Sequence, residues 1–214
     1  MAPHVHRHPS DRHGDFDAWA PTYDRSPLQR IFFDRVHDRV VAAILPLVRG
    51  VAEPVVVDVG CGTGQLLLRL RAALPAASLI GVDPSAKMIE VARAKSGLNG
   101  VRLEVGSAES LPLDPASCDV VVTTVSFHHW SDQAGGLRDV ARVLRPGGHV
   151  LLVDFFARGP LAPLVRRFLA GHGAGMPEEG ELVGMVTRAS LRAESVRRLG
   201  PPMSPLAIMR VARP

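Results

Sequence analysis

The sequence predicts an α/β protein built around a mostly parallel sheet, and three observations support that prediction. From Val55 onward, short β-branched apolar runs alternate with longer amphipathic stretches, which is the pattern of βαβ units. The apolar runs are nearly continuous, as expected for strands that are buried on both faces. A chain of 214 residues with 46% hydrophobic and 21% charged residues fits one globular domain.

Five strands and three helices can be assigned from these runs. The strands are predicted at Val55–Val59, Ser78–Val82, Val101–Val105, Asp119–Val125 and His149–Asp154. The helices between them, where apolar residues recur with helical spacing, are predicted at Gln65–Leu74, Ser85–Lys95 and Ala134–Leu144. Ser85 is a natural N-cap, and Pro146-Gly147-Gly148 is expected to break the chain after the third helix.

The two ends of the chain differ from this middle. Residues 16–47 have helical periodicity but precede no strand, so we expect helices that pack over the sheet and could form a lid. Gly and Pro are frequent between residues 159 and 180, and two short runs follow, Glu194–Leu199 and Leu206–Ala212. They predict a terminal antiparallel hairpin, which departs from a plain dinucleotide-binding fold.

Composition and charge exclude several classes of protein. No apolar run approaches the roughly 20 residues of a membrane-spanning helix, and an N-terminus with four histidines in thirteen residues resembles a solvated tail rather than a signal peptide. The two cysteines, Cys61 and Cys118, are too few for a disulfide framework or a cysteine-based zinc site, so we expect a cytoplasmic protein. No acid-rich or His-rich cluster has metal-ligand spacing, so we expect no required metal. Basic residues concentrate at 155–214 without interleaved aromatic residues, which disfavours nucleic-acid binding.

The most informative segment is VVVDVGCGTGQ, residues 55–65, in which a buried strand leads through Gly60, Gly62 and Gly64 into a helix. We call Gly60–Gly64 the glycine loop. Glycines let the backbone turn sharply and let a ligand approach the main chain, and free N–H groups at the helix start are expected to face that ligand. By itself, the segment also fits a tight strand-to-helix turn that binds no ligand.

Two acidic residues distinguish between ligands. Asp83 ends the second strand, where its carboxylate can accept both hydroxyls of an adenosine ribose. The G-x-G-x-G spacing differs from that of a pyrophosphate turn, and Asp58, two residues before Gly60, would repel a pyrophosphate. An acid there favours a cationic ligand instead, such as the ammonium and sulfonium groups of S-adenosylmethionine.

The chain resembles the class I S-adenosylmethionine-dependent methyltransferases of the small, single-domain type, which includes the quinone-biosynthesis methyltransferases. The motifs that agree in order are FDAWAPTYD, VVVDVGCGTGQ, IGVDPSAKMIEVAR, GSAESLPLDPASCDVVVTTVSFHHW and LRPGGHVLLVDF. The match covers roughly residues 16–156. The resemblance implies a three-layer Rossmann-like sandwich with N-terminal lid helices and a seven-stranded sheet in the order 3-2-1-4-5-7-6, with the last strand antiparallel.

The resemblance also implies a division of the chain. Residues 1–15 would be a disordered His-rich tail and residues 16–214 a single methyltransferase domain. Within that domain, the successive parts would be lid helices at 16–50, a cofactor-binding core at 51–156, an acceptor-side segment at 157–192 and terminal antiparallel strands at 193–214.

By position, the three loop glycines would line the methionine part of the cofactor above Asp58, and Asp83 would hold the ribose. The other cofactor-binding residues implied are Tyr23 in the lid, Cys61 in the loop, Pro84 and Met88 beside the adenine, Ala108 and Glu109 at its far side, and Thr124 at the end of strand four. Many relatives have Asp where this chain has Ser107, so a weaker hydrogen bond to the adenine amino group is expected there.

His128 and His129 follow strand four at the expected mouth of the site and are the candidate catalytic bases. A base is optional, because positioning and desolvation can supply much of the acceleration of an in-line methyl transfer. Side chains alternate in an extended segment, so one of the two should face the ligand. The alternative is that both are loop residues, one in solvent and one beside Trp130.

We therefore expect a cytoplasmic enzyme that methylates a small organic molecule at O, N or C. TTVSFHHW lacks the D-P-P-Y or N-P-P-Y motif of DNA amino-methyltransferases, and Cys118 begins strand four, whereas RNA cytosine C5 enzymes need their cysteine at its end. Two alternatives remain: a non-catalytic binding or regulatory protein, and a nicotinamide-dependent oxidoreductase, which the glycine spacing and Asp58 disfavour. The apolar face of Leu28–Ile44 could cover its own active site or a second subunit in a homodimer.

Overall fold

The computed structural model describes residue 20 and residues 27–156, 177–200 and 204–214. Its seven strands form one sheet in the order β3-β2-β1-β4-β5-β7-β6. The strands are β1 (Val55–Val59), β2 (Ser78–Asp83), β3 (Arg102–Val105), β4 (Cys118–Thr124), β5 (Leu144–Phe155), β6 (Arg192–Arg198) and β7 (Leu206–Ala212). Strands β1 to β5 pair in parallel, and β7 lies antiparallel between β5 and β6. The predicted order and the antiparallel ending are confirmed.

Helices cover both faces of this sheet. They are α1 (Pro27–Ile44), α2 (Gln65–Ala73), α3 (Ala86–Arg93), α4 (Gln133–Val143) and α5 (Glu179–Arg188), with 3₁₀ helices at Ser96–Leu98 and Phe127–His129. One apolar cluster joins α1, α2 and α3 to one face, and a second cluster joins α4 and α5 to the other face. The molecule is thus the expected three-layer sandwich. None of the helices described is both long and apolar enough to span a bilayer.

Strand β5 begins earlier than predicted. It starts at Leu144, directly after α4, so Pro146-Gly147-Gly148 lies inside the strand rather than breaking the chain before it. Gly147 has a φ of 78°, and the pairing of β4 with β5 shifts register between Cys118 and Val120. Because glycine adopts this conformation without strain, the chain bulges and remains in the sheet.

Helix α5 was not predicted, since residues 157–192 were assigned to the acceptor side. Glu178 and Glu181 form a capping box at its start, and Leu182 and Val186 are fully buried on the side of α4. This part of the segment therefore contributes to the core. The capping box followed by apolar residues at helical spacing was the available signal. The tail at 1–15, residues 157–176 and Tyr23 lie outside the described residues.

His37 on α1 is buried, and no described residue bonds its Nδ1. Its ring packs 5.6 Å from that of Phe33. Burial, together with the nearby Arg69 guanidinium, lowers the pKa of His37 to about 4, against the smaller opposing effects of Asp34 and Asp38. The folded protein therefore keeps this ring neutral at pH values where an unfolded chain would protonate it.

We expect His37 to remove about 3 kcal/mol of stability as the pH falls from 6.5 to 4. The unfolded chain takes up a proton near pH 6.5, whereas the folded chain does so only near pH 4. This contribution is therefore absent above pH 6.5 and grows as the pH falls. Urea denaturation of the wild type and His37→Gln at pH 7, 5.5 and 4.5 measures it, and equal pH slopes in the two proteins would contradict it.

Candidate active site

A cavity opens at the carboxyl ends of β1, β2 and β4, where ligands bind in open sheets of this kind. The predicted cofactor-binding residues that line it are Gly60, Gly62, Asp83, Pro84, Met88, Ser107, Ala108, Glu109 and Thr124. His129, Trp130 and Ser131 complete the wall after β4. Asp58, Cys61 and Gly64 lie next to this wall without forming part of it.

The glycine loop turns through three left-handed residues, with φ of 75° at Gly60, 52° at Gly62 and 79° at Gly64. A Cβ on Gly60 would lie 2.6 Å from Ser126 Cβ and closer still to its hydroxyl, so glycine is needed for the loop to meet the segment after β4. A Cβ on Gly62 would meet no atom within 4 Å, because this residue borders the open cavity.

The backbone N–H groups of the loop bond to the protein itself. Gly60 N and Cys61 N both donate to the Val82 carbonyl, at 2.8 and 3.1 Å, and Gly62 N donates to Asp83 Oδ2 at 2.8 Å. The sequence predicts free N–H groups at the start of α2. These three earlier N–H groups are bonded, because the end of β2 lies close enough to accept their hydrogen bonds. A phosphate cradle needs such groups unbonded, so the geometry argues against a pyrophosphate at this loop.

Asp83 lies in the cavity wall with both carboxylate oxygens held in place. Oδ2 accepts from Gly62 N, and Oδ1 accepts from Ser85 N at 2.9 Å. Ser85 also caps α3, because its hydroxyl accepts from Met88 N at 3.0 Å, as the sequence predicted. A carboxylate has about four acceptor positions, so these bonds are compatible with Asp83 also accepting ligand hydroxyls.

Asp58 lies beneath the glycine loop and is 2% exposed. Its Oδ1 accepts no hydrogen bond from any described residue. Burial, and secondly the nearby Asp83, raise the pKa of Asp58 to about 8. The carboxyl group is therefore mostly protonated at neutral pH, and a cation placed beside it would favour its ionised form.

Cys61 is a buried, unreactive member of the loop. Its Sγ lies 3.7 Å from the Gly62 carbonyl oxygen, and burial raises the pKa of the thiol well above its usual value. A side chain at Gly64 would collide with a neighbouring helix, because an added Cβ would lie 2.6 Å from Leu98 Cδ1. These two residues shape the loop rather than the cavity wall.

The loop after β3 forms the opposite wall of the cavity. Glu109 accepts hydrogen bonds from Ser131 Oγ at 3.1 Å and from Asp132 N at 3.0 Å, and it also bonds the Ser107 side chain. Burial raises the pKa of Glu109, but these hydrogen bonds outweigh it and hold the pKa below its usual value. Because the Ser107 hydroxyl donates its proton to Glu109, its oxygen can still accept from a ligand amino group.

The chain turns sharply after β4. Val125 has a φ of 53°, a conformation that is rare and strained for a β-branched residue, and its N–H donates to the Val153 carbonyl at 2.7 Å. The turn brings Ser126 against the glycine loop and starts the 3₁₀ helix at Phe127. Just before it, the Thr124 hydroxyl in the cavity wall is buried without a described partner.

The two histidines occupy different places in this 3₁₀ helix. His129 is part of the cavity wall, whereas Nδ1 of His128 lies 2.8 Å from Oδ1 of Asp154. The two imidazole rings are 3.9 Å apart between centroids. Trp130 packs on Phe127, with ring centroids 4.9 Å apart.

Asp154 was missed as a site residue, since it was considered only as the end of strand five. The available signal was an acidic residue ending an apolar strand at the same edge of the sheet as the histidines.

No cluster with metal-ligand geometry occurs within the residues that the structure describes. Among the described residues that line the cavity, the acidic ones are Asp83 and Glu109, and none is Lys or Arg. The site thus fits a cofactor with cationic groups and ribose hydroxyls.

Comparison with known proteins agrees with this geometry. Residues 57–152 match the family model described as a methyltransferase domain. The uncharacterized methyltransferase YcgJ of Bacillus subtilis (strain 168) is 38% identical over 121 residues, which are 55% of this chain and 46% of that protein. The crystal structure of YcgJ aligns with a TM-score of 0.65 at 30% identity, covering 74% of this chain and 70% of that one.

A plant relative extends the similarity. The chloroplastic 2-methyl-6-phytyl-1,4-hydroquinone methyltransferase 1 of Oryza sativa subsp. japonica is 34% identical over 148 residues, which are 68% of this chain and 43% of that protein. The chain spans somewhat less than half the length of these curated relatives. Together with the sheet order, the glycine loop and Asp83 at the end of β2, the similarities show that the chain belongs to the class I S-adenosylmethionine-dependent methyltransferases.

Proposed function

We propose that this chain binds S-adenosylmethionine in the cavity and transfers its methyl group to a small organic acceptor. The observation that carries the proposal is the charge around the cavity. The acids Asp83 and Glu109 line it, and the described wall has no Lys or Arg. Asp58, buried beneath the loop, is mostly protonated before binding and can ionise when a cation binds beside it. Such a site attracts a cationic cofactor and repels the pyrophosphate of a nicotinamide dinucleotide. The hydroquinone methyltransferase among the relatives supports a small-molecule acceptor.

Each part of the wall has a role in this proposal. Asp83 accepts the ribose hydroxyls, Met88 and Ala108 pack against the adenine, and Ser107 accepts from its amino group. Gly62 leaves room for the methionine part, near the buried Asp58. When bound, the cofactor supplies a sulfonium methyl group that a nucleophile can attack in line. The residues of the chain orient the two reactants and exclude water, which lowers the barrier.

Both cysteines of the chain are free and buried. We infer from this that the protein works in a reducing compartment such as the cytoplasm.

We expect Asp83→Ala to weaken the binding of S-adenosylmethionine and S-adenosylhomocysteine at least tenfold, or about 1.4 kcal/mol. The variant loses the ribose acceptor and also the bond that holds Gly62 N. Isothermal titration calorimetry measures the affinity, with NAD as the control ligand. Glu104→Ala is a matched control, since Glu104 pairs with Arg102 at the surface of β3.

An unchanged affinity in Asp83→Ala would contradict the assigned cofactor site. A wild-type chain that binds both ligands but forms no S-adenosylhomocysteine with any acceptor would instead indicate a non-catalytic binding protein. Tight binding of NAD would point to an oxidoreductase.

A further inference from the structure

The loop between β3 and β4, residues 106–117, packs against α4. Its first part lines the cavity through Ser107, Ala108 and Glu109. Further along, Leu111 and Leu113 are buried in the apolar cluster that α4 also joins. Apolar burial is not directional, so these two side chains attach the loop to the helix without fixing its position along it.

Asp139 and Arg142 on α4 supply the directional bonds. Leu111 N donates to Asp139 Oδ2 at 2.6 Å, and the Arg142 guanidinium donates to the carbonyl oxygens of Leu111 at 3.0 Å and Leu113 at 2.7 Å. Arg142 also donates to both carboxylate oxygens of Asp139, at 2.6 and 3.0 Å. Because a bidentate pair orients both of its side chains, three main-chain groups of the loop are held at defined points of the helix.

The first turn of α4 holds the part of the loop that lines the cavity. Asp132, the N-cap of α4, donates its N–H to Glu109 at 3.0 Å. A Cβ on Gly136 would lie 3.3 Å from Ala108 Cβ and 2.4 Å from the ring of Trp130, so both residues pack directly on the helix backbone. Ala108 and Trp130 both line the cavity. A shift of the loop along α4 would therefore change the shape of the cavity at this end.

We propose that Asp139 and Arg142 are positioning residues for the cofactor, which hold the loop where it recognises the adenine base. The proposal rests on the function proposed above, in which Ala108 packs against the base and Ser107 accepts from its amino group. Neither Asp139 nor Arg142 is among the residues that line the cavity, so the pair acts through the loop. A shift of about 1 Å is enough to remove most of the effect of a positioned group.

Arg142→Met tests the proposal with ligands that differ in whether they contain the base. Methionine keeps an apolar stem and donates no hydrogen bond. The backbone bonds from Ala116 N to Arg142 O at 2.9 Å and from Ser117 N to Val143 O at 2.8 Å do not need the guanidinium, so the fold is expected to persist. Calorimetric titration compares S-adenosylhomocysteine and methylthioadenosine, which contain adenine, with S-ribosylhomocysteine, which lacks it.

We expect the affinity of Arg142→Met for the two adenine ligands to fall about tenfold. Its affinity for S-ribosylhomocysteine should stay within about twofold of the wild type. Asp139→Ala should behave similarly, since Leu111 N then loses its acceptor. Arg142→Lys should recover part of the loss, because an ammonium can donate to a loop carbonyl but lacks the fork of the guanidinium. A purely structural role would not produce a loss confined to the ligands that contain the base.

Arg145→Met is the matched control, because Arg145 forms the same kind of ion pair at the amino ends of the strands. Its Nη1 donates to the two carboxylate oxygens of Asp119, at 2.7 and 2.6 Å. Asp119 also accepts from Val55 N at the start of β1, at 2.8 Å. We expect the affinities of this variant for all three ligands to equal those of the wild type.

Wild-type affinity for S-adenosylhomocysteine in Arg142→Met would overturn the proposal. An equal loss for S-ribosylhomocysteine would also overturn it, because the pair would then affect the whole site rather than the adenine end. A tenfold loss in Arg145→Met would count against it in the same way. A wild-type chain that binds no S-adenosylhomocysteine would instead contradict the proposed function, and this proposal would fall with it.

Discussion

Gly60→Ala should abolish the binding of S-adenosylmethionine and lower the free energy of unfolding by roughly 3 kcal/mol or more. The added Cβ would lie 2.6 Å from Ser126 Cβ and would overlap the Ser126 hydroxyl, at a residue whose φ is 75°. Both the glycine loop and the turn after β4 would have to move, and both form the cavity wall. Urea denaturation and calorimetric titration with the cofactor measure the two effects.

Gly147→Ala is the control for Gly60→Ala, because it adds backbone strain without a steric clash. Gly147 has a φ of 78°, but a Cβ there would meet no atom within 4 Å, so only a backbone cost of about 1–2 kcal/mol is expected. Adding Ser126→Gly to Gly60→Ala should recover part of the lost stability, because it removes the colliding side chain. Equal losses in the two alanine variants would show that the contact with Ser126 is unimportant.

Binding of S-adenosylmethionine at pH 7 should release about one proton from the wild type and none from Asp58→Asn. Burial raises the pKa of Asp58 to about 8, so its carboxyl group is mostly protonated before the cofactor binds. A cationic ligand lowers that pKa and drives ionisation. Calorimetry in phosphate and in Tris, whose heats of ionisation differ, counts the protons. Equal binding enthalpies in both buffers would contradict the prediction.

The Asp58 carboxyl group should also make the free energy of unfolding depend on pH. Below pH 3.8 the folded and unfolded chains both hold the proton, whereas between pH 4 and pH 8 only the folded chain keeps it. The free energy of unfolding therefore falls as the pH rises through this window, on the order of 5 kcal/mol relative to Asp58→Asn. Denaturation at pH 4, 6 and 8 measures the difference. Asp114→Asn, at an exposed position, is the control that should follow the wild type.

The parts of the molecule that could be predicted from the sequence have their signal in neighbouring residues. β1 was predicted with its observed bounds, because a run of four valines, interrupted only by Asp58, directly precedes the glycine loop. Asp83 was identified as a site residue because it ends an apolar strand in a parallel sheet, and Ser85 as a cap because it precedes a helical pattern. Each of these signals lies within a few consecutive residues, so it can be identified without knowing the fold.

Contacts between distant segments required the tertiary structure. The bond between His128 and Asp154 joins residues 26 positions apart, and that between Gly62 N and Asp83 joins residues 21 positions apart. The carbonyl of Val82 in β2 accepts hydrogen bonds from Gly60 N and Cys61 N, because the sheet places the carboxyl end of β2 beside β1.

The sequence by itself therefore determined the fold class, the sheet order through its family resemblance, and the edge of the sheet at which the site lies. Only the tertiary structure decided which histidine lines the cavity, which one binds Asp154, and that Asp58 holds a proton at neutral pH. The reason is that strands and turns follow from short-range sterics and periodicity, whereas protonation and partner choice depend on burial, which the packing of the whole chain sets.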